Sequence, residues 1–431
     1  MAVDVLLGLQ WGDEGKGKVV DVLAPKYDYV ARFQGGPNAG HTLKFDGNDV
    51  VLHQIPSGVF RSNITNLIGN GLVLDVIALF EKEIDKLAAF NLNLNKNLFI
   101  SKKAALILPS HVELDKAYEA SKGVGKIGST LRGIGPTYTD KVSRQGLRVG
   151  DILSPDFMKK YTKLVDAHKQ ILDYHKHDYS AMKEREDLFF KYVERLRGMN
   201  LVDSEYFIND AIQSKKTILA EGAQGSLLDI DFGSYPFVTS SSTMVAGACT
   251  GLGIAPKHIG NVFGIFKAYC TRVGSGPFPT ELHDAVGEKI RQIGREFGST
   301  TGRPRRCGWL DLPALKYACM INGVSHLLMM KADVLNDFEE LQVCTHYQLK
   351  SGEKISTIPY DMCTEELTPV YKTLKGWNQD LSHCETFDSL PVELLDYTAF
   401  IEAEIGLPIT LISIGPDRKE TLIKDFSFIT A

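Results

Sequence analysis

The stretch Gly8–Asp21, GLQWGDEGKGKVVD, constrains this chain more than any other. An apolar run, Val5-Leu6-Leu7, precedes it and is short enough for a buried parallel strand. Val19, Val20, Val22 and Leu23 then begin a helical pattern. The layout is strand, glycine-rich loop, helix. It points backbone N–H groups and a helix N-terminus at one spot, and that spot suits phosphate. Gly12–Lys18 fits the G-x-x-x-x-G-K phosphate-loop pattern, but Val19 stands where Ser or Thr would hold magnesium. Two readings are open at this point: a chance match, or a modified loop whose metal ligand comes from elsewhere. Asp13 and Glu14 sit inside the loop, where carboxylates are costly beside phosphate unless a metal or a proton transfer requires one.

The rest of the chain repeats this grammar. Asp28–Phe33 is a second strand, ending in the loop Gln34–Thr42, QGGPNAGHT. Leu43–Ile55 alternates around Asp46-Gly47-Asn48 as a hairpin does. Thr65–Gly69 and Asn97–Ser101 read as short strands, with Leu72–Phe90 helical between them. Gly123–Gly150 is rich in Gly, Lys and Arg without sustained apolar period, which predicts a long functional loop region over 120–150. Ser154–Met199 reads as two amphipathic helices, a peripheral insert over 154–199 whose His168, His175 and His177 are expected to be solvated. Thr217–Ala220 is a buried strand running into Glu221-Gly222-Ala223-Gln224-Gly225, and Ser240–Gly253 is small-residue loop. Asn261–Tyr269, His326–Met330 and Ile409–Ile414 are further core strands, and Asp284–Phe297 is a helix. Arg303, Arg305 and Arg306 among glycine and hydroxyls make an anion clamp. Lys331-Ala332-Asp333 resembles the end of the guanine-reading motif of GTPases, with Met330 in place of its Asn. Alternating strands and helices predict an α/β fold with a mostly parallel central sheet flanked by helices, P-loop-NTPase-like, and ligands outside the strands' carboxyl ends.

Composition narrows the class. The 431 residues are 44% hydrophobic and 23% charged, enough for a large core, and are read as one large α/β domain over 1–431 with a helical subdomain. A net charge of −5 gives no general attraction to nucleic acid or acidic membranes. Seven scattered cysteines without a C-x-x-C argue for a reducing compartment and against a zinc site. Neither a signal segment nor a membrane-length apolar stretch is visible, so a cytoplasmic protein is expected.

Taken together, QWGDEGKGK, GGPNAGHT, GSTLRGIGPTYTDKVSR, EGAQG, STTGRPRR, KADV and SIGPDR resemble, in order and spacing, the adenylosuccinate synthetase family from Val3 to about Arg418. The resemblance implies a homodimeric, GTP- and Mg²⁺-dependent ligase. It would join IMP to L-aspartate through a 6-phosphoryl-IMP intermediate on the way to AMP. It implies Asp13 as base and His41 as acid, with Asp13 and the Gly40 carbonyl as magnesium ligands. For GTP it implies Gly12, Asp13, Glu14, Gly15, Lys16, Gly17 and Lys18, then Gly40, His41 and Thr42. Arg305, Lys331, Ala332, Asp333, Ser413, Ile414 and Gly415 complete that site. For IMP it implies Asp13 to Lys16, Asn38, Ala39, Gly40, His41, Thr130, Gln224, Thr239 and Arg303, with Arg144 reaching across the dimer. For aspartate it implies Ser299, Thr300, Thr301, Gly302 and Arg303. One departure stands out: the family's second threonine and glycine around Thr130 are Ser129 and Leu131 here. A GTP-dependent switch needs only the nucleotide residues, and a scaffold descended from such an enzyme would not need both Asp13 and His41.

Overall fold

The computed structural model describes residues 3–298 and 302–424. Its centre is a ten-stranded sheet. In chain order the strands are β1 Val3–Gly8, β2 Tyr29–Arg32, β3 Thr65–Ile68, β4 Leu98–Ser101 and β5 Asn200–Val202, then β6 Ile218–Glu221, β7 Ile259–Lys267, β8 His326–Met330, β9 Ile409–Ser413 and β10 Thr421–Ile423. They lie side by side as β10-β9-β8-β7-β1-β6-β2-β3-β4-β5. All neighbours are parallel except β9 and β10. Every residue of β1 is buried, as a central parallel strand covered on both faces requires. Val3, Val5 and Leu7 face one core, while Leu6 packs with Val19, Val20 and Leu23 of helix α1 (Lys16–Leu23) in another.

A smaller sheet of Leu310–Asp311, Glu340–Gln348, Lys354–Ile355 and Thr368–Lys375 lies to one side. Helices α2 (Pro109–Ser121), α3 (Ile134–Ser143), α4 (Phe157–Tyr174) and α5 (Met182–Arg197) fill the chain between β4 and β5. The two amphipathic helices expected over 154–199 are α4 and α5. Their apolar stripes join a core with the 43–52 hairpin and β4.

Four expectations are corrected. The helix placed at Leu72–Phe90 starts only at Val76, because Val73–Leu74 pairs as a short strand with Ala105–Leu106. Asp75 caps it, accepting from Ile77 and Ala78. The segment 123–150 is not all loop, since α3 lies inside it. Its buried face is only Ile134, Pro136, Thr137 and Tyr138, too short and too polar to show as a period. The 240–253 stretch contains a helix, Val245–Leu252, made of small residues because it lies against backbone: a Cβ on Gly251 would stand 2.0 Å from the Phe33 carbonyl oxygen. His168 is buried rather than solvated, and bonds Ser110 and Asp140.

The seven cysteines are free. Among the described residues no helix is long and apolar enough to cross a membrane. Because the Gly251 contact is with backbone, Gly251→Ala should cost roughly 1–3 kcal/mol of stability. Denaturant unfolding of the two proteins would show it as a lower midpoint at unchanged slope.

Candidate active site

The loops that follow β1, β2, β6, β7, β8 and β9 leave the sheet at one edge, as ligand loops of open parallel sheets do. The β1–α1 loop turns through left-handed backbone at Gly12, Asp13 and Gly15, with φ of 87°, 60° and 95°. Its two carboxylates have opposite fates. Glu14 folds inward, accepting from the Gln10 amide at 3.1 Å and the Gly12 amide at 2.9 Å, and it pairs with Lys16 Nζ at 2.5 Å. Gly8 leaves the room it needs, since a Cβ there would lie 2.2 Å from Glu14 Oε2. Glu14 and Lys16 are thus a buried, mutually neutralised pair that shapes the loop. Asp13 turns outward, keeps a partly exposed side chain, and meets Arg305 Nε at 2.8 Å.

His41 opens the hairpin His41–Phe45/Asn48–Leu52, directly after the β2 loop. Its backbone rests on α1 at Gly17, where a Cβ would lie 2.8 Å from His41 Cβ. Its Nδ1 is 2.5 Å from Glu221 Oε1 at the end of β6. Glu221 also accepts from the Ser57 amide at 2.8 Å and its hydroxyl at 2.7 Å, and Arg32 lies 4.0 Å away. Glu221 therefore fixes the ring with Nδ1 as donor. Nε2 is left buried and without a protein partner among the described residues. Burial, followed by Arg32, outweighs Glu221 and pulls the His41 pKa down to about 4. Neutral His41 therefore presents a lone pair at Nε2.

The predicted GTP residues assemble beside this pair. Lys18 crosses from α1 to the β9 loop, donating to Ser413 Oγ at 2.7 Å and to the carbonyls of Gly415 and Glu420 at 2.6 and 3.0 Å. Burial lowers its pKa to about 8 against the pull of Asp333, Glu420 and Asp417. Lys331 donates to the Gly294 carbonyl at 2.6 Å and meets Glu296 at 3.1 Å. Asp333 Oδ1 is buried without a hydrogen-bond partner among the described residues, and burial raises its pKa. Met330, which stands where the guanine motif has Asn, packs into the core beside α1. Arg305 pairs with Glu296 at 2.6 Å as well as with Asp13.

Among the predicted IMP residues, the buried side-chain N and O of Gln224 and the Oδ1 of Asn38 have no hydrogen-bond partner among the described residues. The Thr239 amide bonds the Leu228 carbonyl. Ala39 accepts from His53 at 2.5 Å. Thr130 and Arg144 stand exposed on either side of α3. Arg144 ends that helix in a left-handed conformation and pairs with no carboxylate among the described residues. The Arg303 carbonyl accepts from Gly298, which closes the 298–303 loop at 2.8 Å. Gly302 has a φ of 65°, and Ser299, Thr300 and Thr301 lie outside the described residues.

Sequence reasoning missed the buried groups that hold these side chains. Glu221 was visible as a carboxylate ending an apolar strand, but its pairing with His41 spans 180 positions. Glu296, which meets Arg305, Lys331, Lys267 and Tyr269, carried no signal beyond its place at the end of the helical pattern 284–297.

The glycine-rich β1–α1 loop, the buried Asp333 carboxylate, and Gln224 and Asn38 atoms without a hydrogen-bond partner among the described residues gather on a parallel α/β sheet, an arrangement suited to a nucleotide-dependent ligase. Residues 5–422 match the family described as adenylosuccinate synthetase. The adenylosuccinate synthetase of Cytophaga hutchinsonii is 92% identical over 431 residues, the whole of both chains. That of Flavobacterium johnsoniae is 60% identical over 425 residues, covering 98% of this chain and 100% of its own. A solved structure of a fully ligated adenylosuccinate synthetase from Plasmodium falciparum superposes with a TM-score of 0.92 at 40% identity, covering 99% of this chain and 100% of that one. The chain belongs to the adenylosuccinate synthetase family. It is a purine-biosynthetic ligase, and its reaction is the GTP-dependent joining of IMP and L-aspartate.

Lys18 holds the β9 loop only with a full set of N–H donors. As pH rises through about 8 it loses its proton, so kcat/KM for GTP should fall above that pH. The stability effect has the opposite sign. With its folded pKa depressed below 10.5, Lys18 opposes folding near neutrality, and this penalty is relieved between pH 8 and 10.5. Lys18→Gln should flatten the GTP profile, read from initial rates between pH 7 and 9.5.

Proposed function

We propose that the ligation runs in two steps through 6-phosphoryl-IMP, with Asp13 and His41 handling the charge and protons. Asp13 removes the N1 proton of IMP, and O6 then attacks the γ-phosphorus of GTP. The O6–P bond forms, the bond to the β-phosphate oxygen breaks, and GDP leaves. The aspartate amine next attacks C6. The C6–O6 bond breaks, phosphate carries O6 away, and the amine releases a proton. The observation that carries this reading is an outward Asp13 in the β1–α1 loop together with a His41 that rests on Gly17 at the start of α1 and whose Nε2 has no partner among the described residues.

His41 is neutral by itself, so its acid role depends on company. An anionic phosphoryl group beside Nε2 raises its proton affinity, and Glu221 stabilises the imidazolium that results. Arg305 holds the Asp13 side chain in place. Gln224 and Asn38 offer unpaired donors and acceptors to the hypoxanthine. Thr239 and Arg303 line the same substrate, with Thr130 and Arg144 at its phosphate, Arg144 from the second copy of a homodimer. Arg303, Gly302 and the segment Ser299, Thr300 and Thr301 receive aspartate. Asp333 accepts from the guanine N1–H and amine. Lys331 and Ala332 flank it, as do Ser413, Ile414 and Gly415, while the Gly12–Lys18 amides face the phosphates.

The Asp13 carboxylate and the Gly40 carbonyl are hard oxygens beside the phosphate loop, a donor set that suits Mg²⁺ retaining waters. Bound there, the ion would neutralise charge on the transferred phosphate. Val19 then needs no hydroxyl. The reading treats residues 1–431 as one domain in the cytoplasm, with 120–150 as its substrate and dimer region and 154–199 as its helical insert.

Asp13→Asn and His41→Asn should each lower kcat by roughly 10²–10⁴ while IMP affinity without GTP stays within a few-fold. The double variant should fall well short of the product of the two losses. A folded Asp13→Asn enzyme with near-normal turnover would sink the mechanism. Asp333→Asn should raise the GTP KM and weaken discrimination against other nucleoside triphosphates, by about 2–3 kcal/mol. Competition between GTP and ITP or ATP would measure it. Steady-state GDP release should require both IMP and aspartate, whereas a switch would need neither and a scaffold would release none.

A further inference from the structure

One face of α2 carries a buried polar stripe. His111, Asp115 and Glu119 recur every four residues, so they line up along the helix. All three are buried, where polar side chains are costly unless bonded. Each bonds the segment that follows. Glu119 Oε2 accepts from the amides of Gly128 and Ser129 at 3.0 and 3.3 Å. Asp115 accepts from the Ser129 hydroxyl at 2.7 Å and the Gly133 amide at 2.9 Å. His111 Nε2 lies 2.8 Å from Asp140 on α3. Because His111 Nδ1 accepts from the Leu108 amide at 2.9 Å, Nε2 is the protonated nitrogen and donates.

His168 of α4 reaches the same Asp140 oxygen at 2.9 Å. The ligand-type atoms of His111, Asp140 and His168 lie within 4.8 Å of one another. A protonated His111 Nε2 makes the group a hydrogen-bond hub rather than a metal cage. The stripe therefore pins both flanks of Thr130 and the last turn of α3 before Arg144. Between the pins Leu131 adopts a φ of 56°, a conformation that leucine keeps only where its surroundings impose it.

We propose that His111, Asp115 and Glu119 are positioning residues that preset Thr130 and Arg144 for the 5′-phosphate of the purine substrate. This rests on the reading above that those two residues meet IMP. A loosened segment would lose freedom on binding, and that cost falls on IMP affinity. At saturating substrate the segment is ordered in any case, so turnover is spared.

The test uses the full-length chain with Asp115→Asn and Glu119→Gln. Ser129→Ala removes the Asp115 contact from the exposed side and serves if a buried variant fails to fold. Each should raise the IMP KM about tenfold, with kcat and the KM values for GTP and aspartate within about twofold. Competitive inhibition by inosine, which lacks the phosphate, should be unchanged. An unchanged IMP KM in these variants, while Thr130→Ala raises it, would overturn the stripe's role and leave the site reading standing. Equal weakening of inosine would show a general fold defect and also overturn it. A Thr130→Ala enzyme with normal IMP KM would defeat the site reading, and the stripe's role with it.

Discussion

One buried carboxylate, Glu296, organises the carboxyl edge of the sheet. It meets Lys267 at 3.2 Å, Lys331 at 3.1 Å and Arg305 at 2.6 Å, and accepts the Tyr269 hydroxyl at 2.5 Å. Burial alone would raise its pKa, but Lys267, Lys331 and Arg305 overcome this and hold it well below the usual carboxylate range. Its backbone carbonyl bonds the Arg305 amide at 2.8 Å, closing the base of the 297–304 loop. Through Arg305 it steadies Asp13, and through Lys331 it steadies the segment that follows β8. Breaking a buried pair of this kind typically costs about 3–5 kcal/mol, because the partner charges stay behind.

Charges of both signs crowd around that hub. One carboxylate faces three cations, and Asp13 supplies a further anion to Arg305. Glu14 and Lys16 neutralise each other within the loop. Asp333, Glu420 and Asp417 face Lys18 at the same edge. His41 sits apart from these cations, against Glu221 and Arg32. Burial and Arg32 keep that imidazole neutral.

What was legible from the sequence follows the range of the forces involved. The β1–loop–α1 unit, the 41–52 hairpin and the amphipathic pair α4 and α5 are set by local glycines, turn residues and apolar spacing. They stand where those patterns put them. The short helices at 134–143 and 245–252 were hidden, because each buries only a turn or two and uses Gly, Ala, Thr or Pro where backbone comes close. His168 looked solvated on a charged helix, since its partner Asp140 is 28 positions away. The residues proposed to meet ligands were named from their motifs. Glu221, Glu296 and the α2 stripe were not, since a side chain that holds another across the fold leaves no local pattern.

If ligation runs through 6-phosphoryl-IMP, IMP O6 becomes a phosphate oxygen before aspartate displaces it. IMP labelled with ¹⁸O at C6 tests this directly when turned over with GTP and aspartate, with the released phosphate analysed by mass spectrometry. The account predicts one ¹⁸O per phosphate, matching adenylosuccinate formed. Unlabelled phosphate, with the label lost to water, would mean that O6 was never phosphorylated and would contradict the roles given to Asp13 and His41.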